Sequence, residues 1–581
     1  MALLPWDAAG YAAWLERHGR LTGADRQAIA AQVARMGERP RFLLVPLLRA
    51  GESPADWAET LRGALSQLYP EWRLCLPGAA WLEGLPEPPP RPEQVLAVPL
   101  PAAAEALPAA FLQAALAAAE DDEAFVLPLP RGAVLDETAL HEFALLRLRH
   151  PDSALLYADE DCLDAAGRRV SPRFKTGFDP ELMLARDALG LPLAFRLPLL
   201  RGLGGLRREA GPLGVALHDL ALRAMRRVPQ EQIRHVPAVL CHRRLPEDAP
   251  TEWEGEAARR VVREHLAACG HPAARLRPVP QAPQWCAVDW PLPARPPLVS
   301  VIIPTRDGAG LLARSADAVL RRTDYPALEL LIVDNGSTGA EALALLARLR
   351  QDPRVRVLDA PGPFNYAALN NAAAAAARGE VLLLLNNDTD VYEPGWLRAM
   401  VAQALRPEVG AVGAKLVYAD GRLQHGGVVL SPGPMLAHQL RLAEPEETGP
   451  QGELILARSV LAVTGACLAI RRQLYLAMGG LDAGALRVAF NDIDLCLRLG
   501  SEGYRIVWTP EATLMHLESV SRGDDASDPE RHARFLRELG VIQSRWAVEL
   551  ARDPYHNPNL LFSWQGSGLA SPPRRSRPWL A

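Results

Sequence analysis

Residues 381–390 read Val-Leu-Leu-Leu-Leu-Asn-Asn-Asp-Thr-Asp. Five apolar residues running into acidic and amide groups predict a buried strand with a polar cluster at its carboxyl end. Open α/β sheets bind their ligands in the crevice beyond those ends. A carboxylate placed there, such as Asp388, can hold Mg²⁺ or Mn²⁺, which bind through oxygen ligands and often keep substrate phosphates as the others. Taken alone, the stretch reads more simply as a strand followed by an Asn/Asp turn. The sequence around it changes that balance.

Outward from this strand the pattern alternates. Strand-like runs at 298–303, 328–333, 354–358 and 380–385 are separated by helix-like runs at 309–321, 339–350 and 366–378. Further strands are expected at 411–418, 461–470 and 504–508, with a helix at 491–502. Such alternation predicts an α/β domain: a mostly parallel central sheet with flanking helices. Prolines crowd 280–297, a linker composition. The expected organisation is a helical segment at 1–38, a first domain at 39–285, a Pro-rich linker at 286–297, a second domain at 298–545 and a tail at 546–581.

The chain also echoes itself. Leu68-Tyr69-Pro70 parallels Asp324-Tyr325-Pro326, and Val236-Pro237 to His242 parallels Thr509-Pro510 to His516. Two matches in the same order suggest a duplicated domain.

Composition sets outer limits. At 581 residues, two or three domains are expected. A hydrophobic share of 49% and a net charge of -5 describe a globular protein and give no reason to expect nucleic acid as a partner. The seven cysteines show no C-x-x-C pair and read as reduced, mostly buried cytosolic thiols. The start lacks the pattern of a signal peptide, and the longest apolar stretch, near 106–119, is too short to span a bilayer. The expectation is a cytoplasmic protein that at most visits a membrane surface.

Four polar clusters converge on one edge if the first strands are parallel neighbours: Pro304-Thr305-Arg306, Asp334-Asn335-Gly336-Ser337, Asn386-Asn387-Asp388-Thr389-Asp390, and Asn491-Asp492-Ile493-Asp494 with His516 beyond. One pocket is the economical explanation. The series resembles the family 2 glycosyltransferases of the GT-A (nucleotide-diphospho-sugar transferase) fold, across roughly 298–525. Gln424-His425-Gly426-Gly427 and Val463-Thr464-Gly465-Ala466-Cys467 add to the match. The whole chain is similar to two-domain bacterial proteins of O-antigen and surface-polysaccharide assembly, including the tail motif Asp553-Pro554-Tyr555-His556-Asn557-Pro558-Asn559.

The resemblance implies roles. Asp334, Asn335, Asn387 and the turn Pro304, Thr305, Arg306 would bind a nucleotide-sugar; the lesser reading of Asp334 is an Asx turn capping the next helix. Asp388 and His516 would hold Mg²⁺ or Mn²⁺ against the diphosphate, with Asp390 outside the coordination sphere or solvated. Asp492 would be the general base; a helix N-cap is compatible with the same residues. Gly465 and Ala466 would contact sugars, or simply allow tight packing. With one base and no obvious second nucleophile, transfer would invert the anomeric centre. The acceptor would be a growing cell-surface glycan, with a lipid-linked acceptor bringing the protein to the inner face of the cytoplasmic membrane.

In the first domain, Tyr157-Ala158-Asp159-Glu160-Asp161 resembles a second Asp-x-Asp metal motif, yet Gly78 stands where Asp334 would be and Leu217 where a base is needed. That predicts a degenerate copy serving as scaffold, acceptor-binding surface or homodimerisation element. Two other readings of the chain stand beside the transferase: a non-catalytic nucleotide- or glycan-binding assembly protein, and a sugar nucleotidyltransferase.

Overall fold

In the computed structural model, the strand at 381–385 lies at the centre of a sheet with every residue buried. The structure describes all residues except 1, 5, 100–106, 245–254, 432–434, 518–527, 564–565 and 581.

The first half contributes β1 (Phe42–Pro46), β2 (Trp72–Leu76), β3 (Val95–Ala97), β4 (Phe125–Leu129), β5 (Ala133–Leu135), β6 (Leu155–Leu163), β7 (Arg169–Arg173), β8 (Leu193–Arg196) and β9 (Ile233–Arg244). The second contributes β10 (Val299–Thr305), β11 (Leu328–Asp334), β12 (Val355–Asp359), β13 (Val381–Leu385), β14 (Thr389–Val391), β15 (Val409–Val417), β16 (Leu423–His425), β17 (Arg458–Val460), β18 (Cys467–Arg471) and β19 (Arg505–His516). The helices used below are α1 (Leu107–Ala118), α2 (Leu213–Met225), α3 (Ala309–Arg321), α4 (Ala340–Leu349), α5 (Tyr366–Ala376), α6 (Asn491–Ser501) and α7 (Pro529–Arg545).

The sheet orders are β3-β2-β1-β4-β8-β6-β9-β5 and β12-β11-β10-β13-β18-β15-β19-β14. These are the same order strand for strand, with β7 on β6 matching β16 on β15. Parallel and antiparallel pairings match as well: β12-β11-β10-β13 is all parallel, and the sheet turns mixed where β18 enters antiparallel to β13. The chain is therefore an α/β duplication. The likeness reaches single hydrogen bonds: Tyr69 Oη donates to Pro40 O at 2.8 Å, and Tyr325 Oη to Pro297 O at 2.9 Å. Arg223 joins Asp219 to the carbonyls of Leu203 and Gly205, and Arg498 joins Asp494 to those of Met478 and Gly480.

Side chains alternate across a strand, so a sheet covered on both faces needs apolar residues at every position. β10 shows this. Val301 and Ile303 pack with Leu312, Ala316 and Val319 of α3, whereas Ile302 packs with Ala367, Ala373 and Ala374 of α5.

Several expected boundaries move. The run 461–470 is not one strand: β17 and β18 bracket a loop, 461–466, that turns into the crevice at Thr464 and Gly465. The strand expected at 504–508 continues to His516, past Pro510, through a register shift opposite Ala414 and Lys415, where a proline removes no ladder bond. The Pro-rich stretch is partly structured, since Ala282–Asp289 pairs with Arg275–Val279. The tail folds back on the first half. Its strand Gly566–Ser571 pairs with Leu560–Ser563 and Ala2–Leu4, and Asn557 Nδ2 donates to Asp159 Oδ2 at 2.9 Å. Between the halves, buried Glu181 accepts from Arg406 at 2.8 Å and from Arg505, and Asp179 accepts from the Ser459 backbone N–H at 2.9 Å.

Candidate active site

The carboxyl ends of β10 and β13, the loop before β18, the first turn of α6 and the end of β19 enclose a cleft of about 610 Å³. Pro304, Thr305, Arg306, Asn387, Asp388, Gly465, Ala466, Asp492 and His516 all line it.

Arg306 is exposed and has no carboxylate partner among the described residues. Beside it Asp307 adopts a left-handed backbone, φ +52°, and its carboxylate accepts from the backbone N–H of Thr338 and Gly339, each at 2.7 Å. It thereby caps α4, whose N-cap, Gly339, has no side chain to do so. Asn387 Nδ2 donates to Thr305 Oγ1 at 3.1 Å, locking the ends of β10 and β13 together.

Asp334 and Asn335 do not line the cleft. The Asp334 carboxylate turns back to accept from the Ser337 backbone N–H at 3.1 Å, an Asx turn. Asn335 Nδ2 donates to Ala360 O at 2.8 Å, while its Oδ1 is buried without a partner. Asp390 is neither solvated nor in the cleft, because Arg314 and Arg322 grip its carboxylate.

At the floor, Asp388 Oδ1 is buried with no hydrogen-bond donor and lies 3.1 Å from His516 Nε2. The histidine's tautomer follows from its partners. Gln424 donates through Nε2 to His516 O at 3.3 Å, so its Oε1, 2.6 Å from His516 Nδ1, must accept a proton from that nitrogen. In the neutral ring Nε2 then carries a lone pair, toward which Asn386 Nδ2 points at 3.2 Å. Two lone-pair atoms facing each other at this distance need a proton or a cation between them. Cis ligands about 2.1 Å from an octahedral ion lie about 3 Å apart, so the pair suits Mg²⁺ or Mn²⁺. Among the described residues no cluster of three or more His, Cys, Asp or Glu exists to hold a metal, and Asp388 and His516 make a pair.

Asp492 lies in the first turn of α6, one residue after the first helical position. The preceding Phe490 takes a left-handed conformation, φ +62°, a strained choice for a bulky residue and one that fixes how the helix begins. Asp492 Oδ2 accepts from the Gly465 backbone N–H at 2.7 Å, and Oδ1 from its neighbour Ile493 at 2.8 Å. Burial pushes this carboxyl above its usual range, against the lowering effect of those two N–H groups. Tyr366 Oη donates to Gly465 O at 2.8 Å; a Cβ at Gly465 would sit 3.3 Å from that hydroxyl and 3.5 Å from the Asp492 Cβ. Gly465 therefore allows the close approach, and packing and contact with a ligand are compatible there.

The first half has lost each of these groups. Matching β4 to β13 and β5 to β14 places Gly132 opposite Asp388, and the β5–β9 register sets Arg243 opposite His516. The shared Asp–Arg pairs of α2 and α6 put Leu217 opposite Asp492. Asp159 and Asp161 correct the sequence expectation: they lie in β6, the counterpart of β15, and not at the positions that match Asp388 and His516. Their carboxylates are filled by protein groups, Asp159 by His235 and Asn557, Asp161 by Tyr11, Arg169 and His242.

Gln424 fell within a motif the sequence displayed and Tyr366 at the start of an expected helix, but their roles rest on distances no spacing encodes. Asn386 was legible only as part of its cluster.

The glycosyl transferase family 2 profile matches residues 300–476. The O-antigen biosynthesis protein RfbC of Myxococcus xanthus is 37% identical over 98% of this chain and 44% of its own length. The uncharacterized protein y4gI of Sinorhizobium fredii is 37% identical over 95% of this chain and 61% of its own. The chain thus spans about half the length of these curated relatives. Among solved structures, the mannosyltransferase PcManGT of Pyrobaculum calidifontis, in complex with GDP-Man and Mn²⁺, aligns at a TM-score of 0.33 and 21% identity, over 44% of this chain and 68% of that one. Residues 300–476, which hold Asp388, Gly465 and the 304–306 turn, are thus the part of the chain that matches glycosyl transferase family 2.

Proposed function

We propose that the second half transfers a sugar from a nucleotide-sugar donor to a growing cell-surface glycan by a single inverting displacement that depends on Mg²⁺ or Mn²⁺. The observation that carries this reading is one cleft holding both a donor-free Asp388 oxygen beside a His516 lone pair and a partly exposed, proton-seeking Asp492.

A divalent cation bound by Asp388 and His516 would offset the charge that develops on the diphosphate as the sugar leaves. Gln424 holds His516 in the tautomer that gives Nε2 a lone pair for that ion, which would replace the Asn386 Nδ2 contact there. Arg306, unpaired on the same wall, lends a fixed positive charge to the donor end. Pro304, Thr305 and Asn387 shape that end, and Asp334 and Asn335 support it from behind by fixing the 335–337 turn. Asp492 takes the proton from the acceptor hydroxyl, and the raised affinity for protons that burial gives it suits a base near neutral pH. The Gly465 N–H orients it. Among the described residues the other carboxylates in the cleft are already engaged, Asp388 facing His516 and Asp307 capping α4, which supports a single displacement that inverts the anomeric centre.

The name of the Myxococcus relative supports a surface-glycan acceptor. A lipid-linked acceptor would be met at the inner face of the cytoplasmic membrane; among the described residues no helix is long and apolar enough to cross one. A panel of nucleotide-sugars incubated with the purified chain, followed by nucleoside diphosphate release, tests the reading. Release is expected with one donor class, lost on chelation with EDTA and restored by Mn²⁺. Release that ignores the chelator would overturn the metal assignment, and no release with any donor would overturn the activity.

A further inference from the structure

The first half keeps a cleft at the place where the second half has its active site. It measures about 720 Å³, larger than the candidate active site, and is lined by Arg49, the opening of α1 at Pro108 and Ala109, the 206–212 loop, and Leu213 and Ala216 of α2. Each wall has its counterpart: the end of β10, the opening of α5, and the start of α6. Arg49 occupies the register position of Arg306, since Val45 pairs with Pro128 as Ile302 pairs with Leu384, and each arginine follows four residues later.

Its chemistry is not that of the second cleft. Gly132, Arg243 and Leu217 replace the metal pair and the base, so no ion and no proton acceptor are supplied. Arg207 is bound to Asp219 and Glu264. Arg49 and Arg208 are exposed, and among the described residues neither guanidinium has a carboxylate partner. Among the described residues, exposed Glu209 is the one carboxylate on the lining. Pro108, Leu206 and Leu213 add apolar faces. A guanidinium presents a planar fork of donors that matches phosphate oxygens two at a time.

We propose that this cleft is a second ligand site, which holds the diphosphate of a glycan-bearing molecule on Arg49 and Arg208 without reacting it. The duplication has kept the shape and the positive charge of a diphosphate pocket and removed its catalytic groups. A site of this kind would retain one substrate while the other half works on it.

Isothermal titration of the full chain carrying Asp388→Ala, in EDTA, with inorganic pyrophosphate isolates this cleft from the metal-dependent one. Pyrophosphate is expected to bind that variant, and adding Arg49→Ala and Arg208→Ala is expected to weaken binding at least about tenfold. Both side chains are exposed, so thermal unfolding should be unchanged. No pyrophosphate binding to the Asp388→Ala chain, or binding indifferent to the two arginines, overturns the proposal. Two further arms find the source: uridine diphosphate in solution, and neutral phosphatidylcholine vesicles carrying a polyprenyl diphosphate. Arginine-dependent capture of the first assigns a free nucleotide, and of the second a lipid-borne acceptor.

Discussion

The two halves share a strand order, a tyrosine-to-carbonyl hydrogen bond and a buried Asp–Arg pair, but not Asp388, His516 or Asp492 of the crevice in the second half. The difference separates two kinds of polar residue within one molecule. Those that survive in both copies satisfy buried backbone groups, which is needed whatever the domain does. Those found only in the second copy, Asp388, His516 and Asp492, leave lone pairs or a proton-hungry carboxylate facing open space, which costs stability and is retained only where it is used. The first half thus acts as an internal control on the second.

The largest effect should come from the residue most clearly absent from the first half. Asp492→Asn is expected to slow turnover by about 10²–10⁴-fold with donor binding intact, measured by nucleoside diphosphate release. Burial raises this carboxyl's affinity for a proton. The proton-accepting form is therefore lost as pH falls through a value above the ordinary carboxylate range, and kcat/KM should show an acid limb there that the variant lacks. The folded state also holds that proton more tightly than the unfolded chain, so the ionised carboxylate costs stability at neutral pH and Asn should not lower Tm. A marked drop in Tm with near-normal turnover would make Asp492 a helix cap.

The shared pair should behave alike in both halves. Asp494→Ala strands Arg498 while Arg545 keeps Asp482, and Asp219→Ala strands Arg223 while Arg207 keeps Glu264. Each is expected to lose about 3–5 kcal/mol of stability in denaturant titration, because a buried ion is left uncompensated. If only one copy suffered, the halves would not be structurally equivalent.

A smaller effect is expected where the second half departs from the first through a supporting residue. Gln424→Leu frees the His516 ring and should weaken Mn²⁺ binding about 10–100-fold, read from metal-dependent thermal stabilisation, with the metal-free Tm little changed. Unchanged Mn²⁺ affinity would remove Gln424 from the site. The smallest effect is the most symmetric: Tyr69→Phe and Tyr325→Phe should each cost about 1 kcal/mol and leave KM alone.

Much of this was legible in the sequence. The run 381–385 is apolar at every position, and such a run between turn residues has few homes other than a sheet covered on both faces. Asp388, Asp492 and His516 were placed in one pocket by strand alternation and Gly465 by the family resemblance, and the structure brings them together. Asp334 and Asn335 were not legible, because Ser337 and the 360–362 carbonyls capture their side chains, and capture by a neighbour looks the same as readiness for a ligand when only spacing is known. The duplication was visible in two short echoes. Its alignment was not, since Asp159-Glu160-Asp161 imitates a metal motif and only strand pairing shows that it lies in the wrong strand. The loop 461–466 was hidden in a run of small and apolar residues that reads as continuous strand.

The Asp159 carboxylate, wholly buried in the first half, takes a hydrogen bond from Asn557, which lies 398 positions further along the chain. During synthesis the early domain must wait for almost all of the later one to emerge before that carboxylate oxygen is covered, while His235 and the Lys175 N–H of its own half hold the other. The two halves are then not assembled in sequence like beads, and a ribosome stalled in the second would leave the first with an open seam.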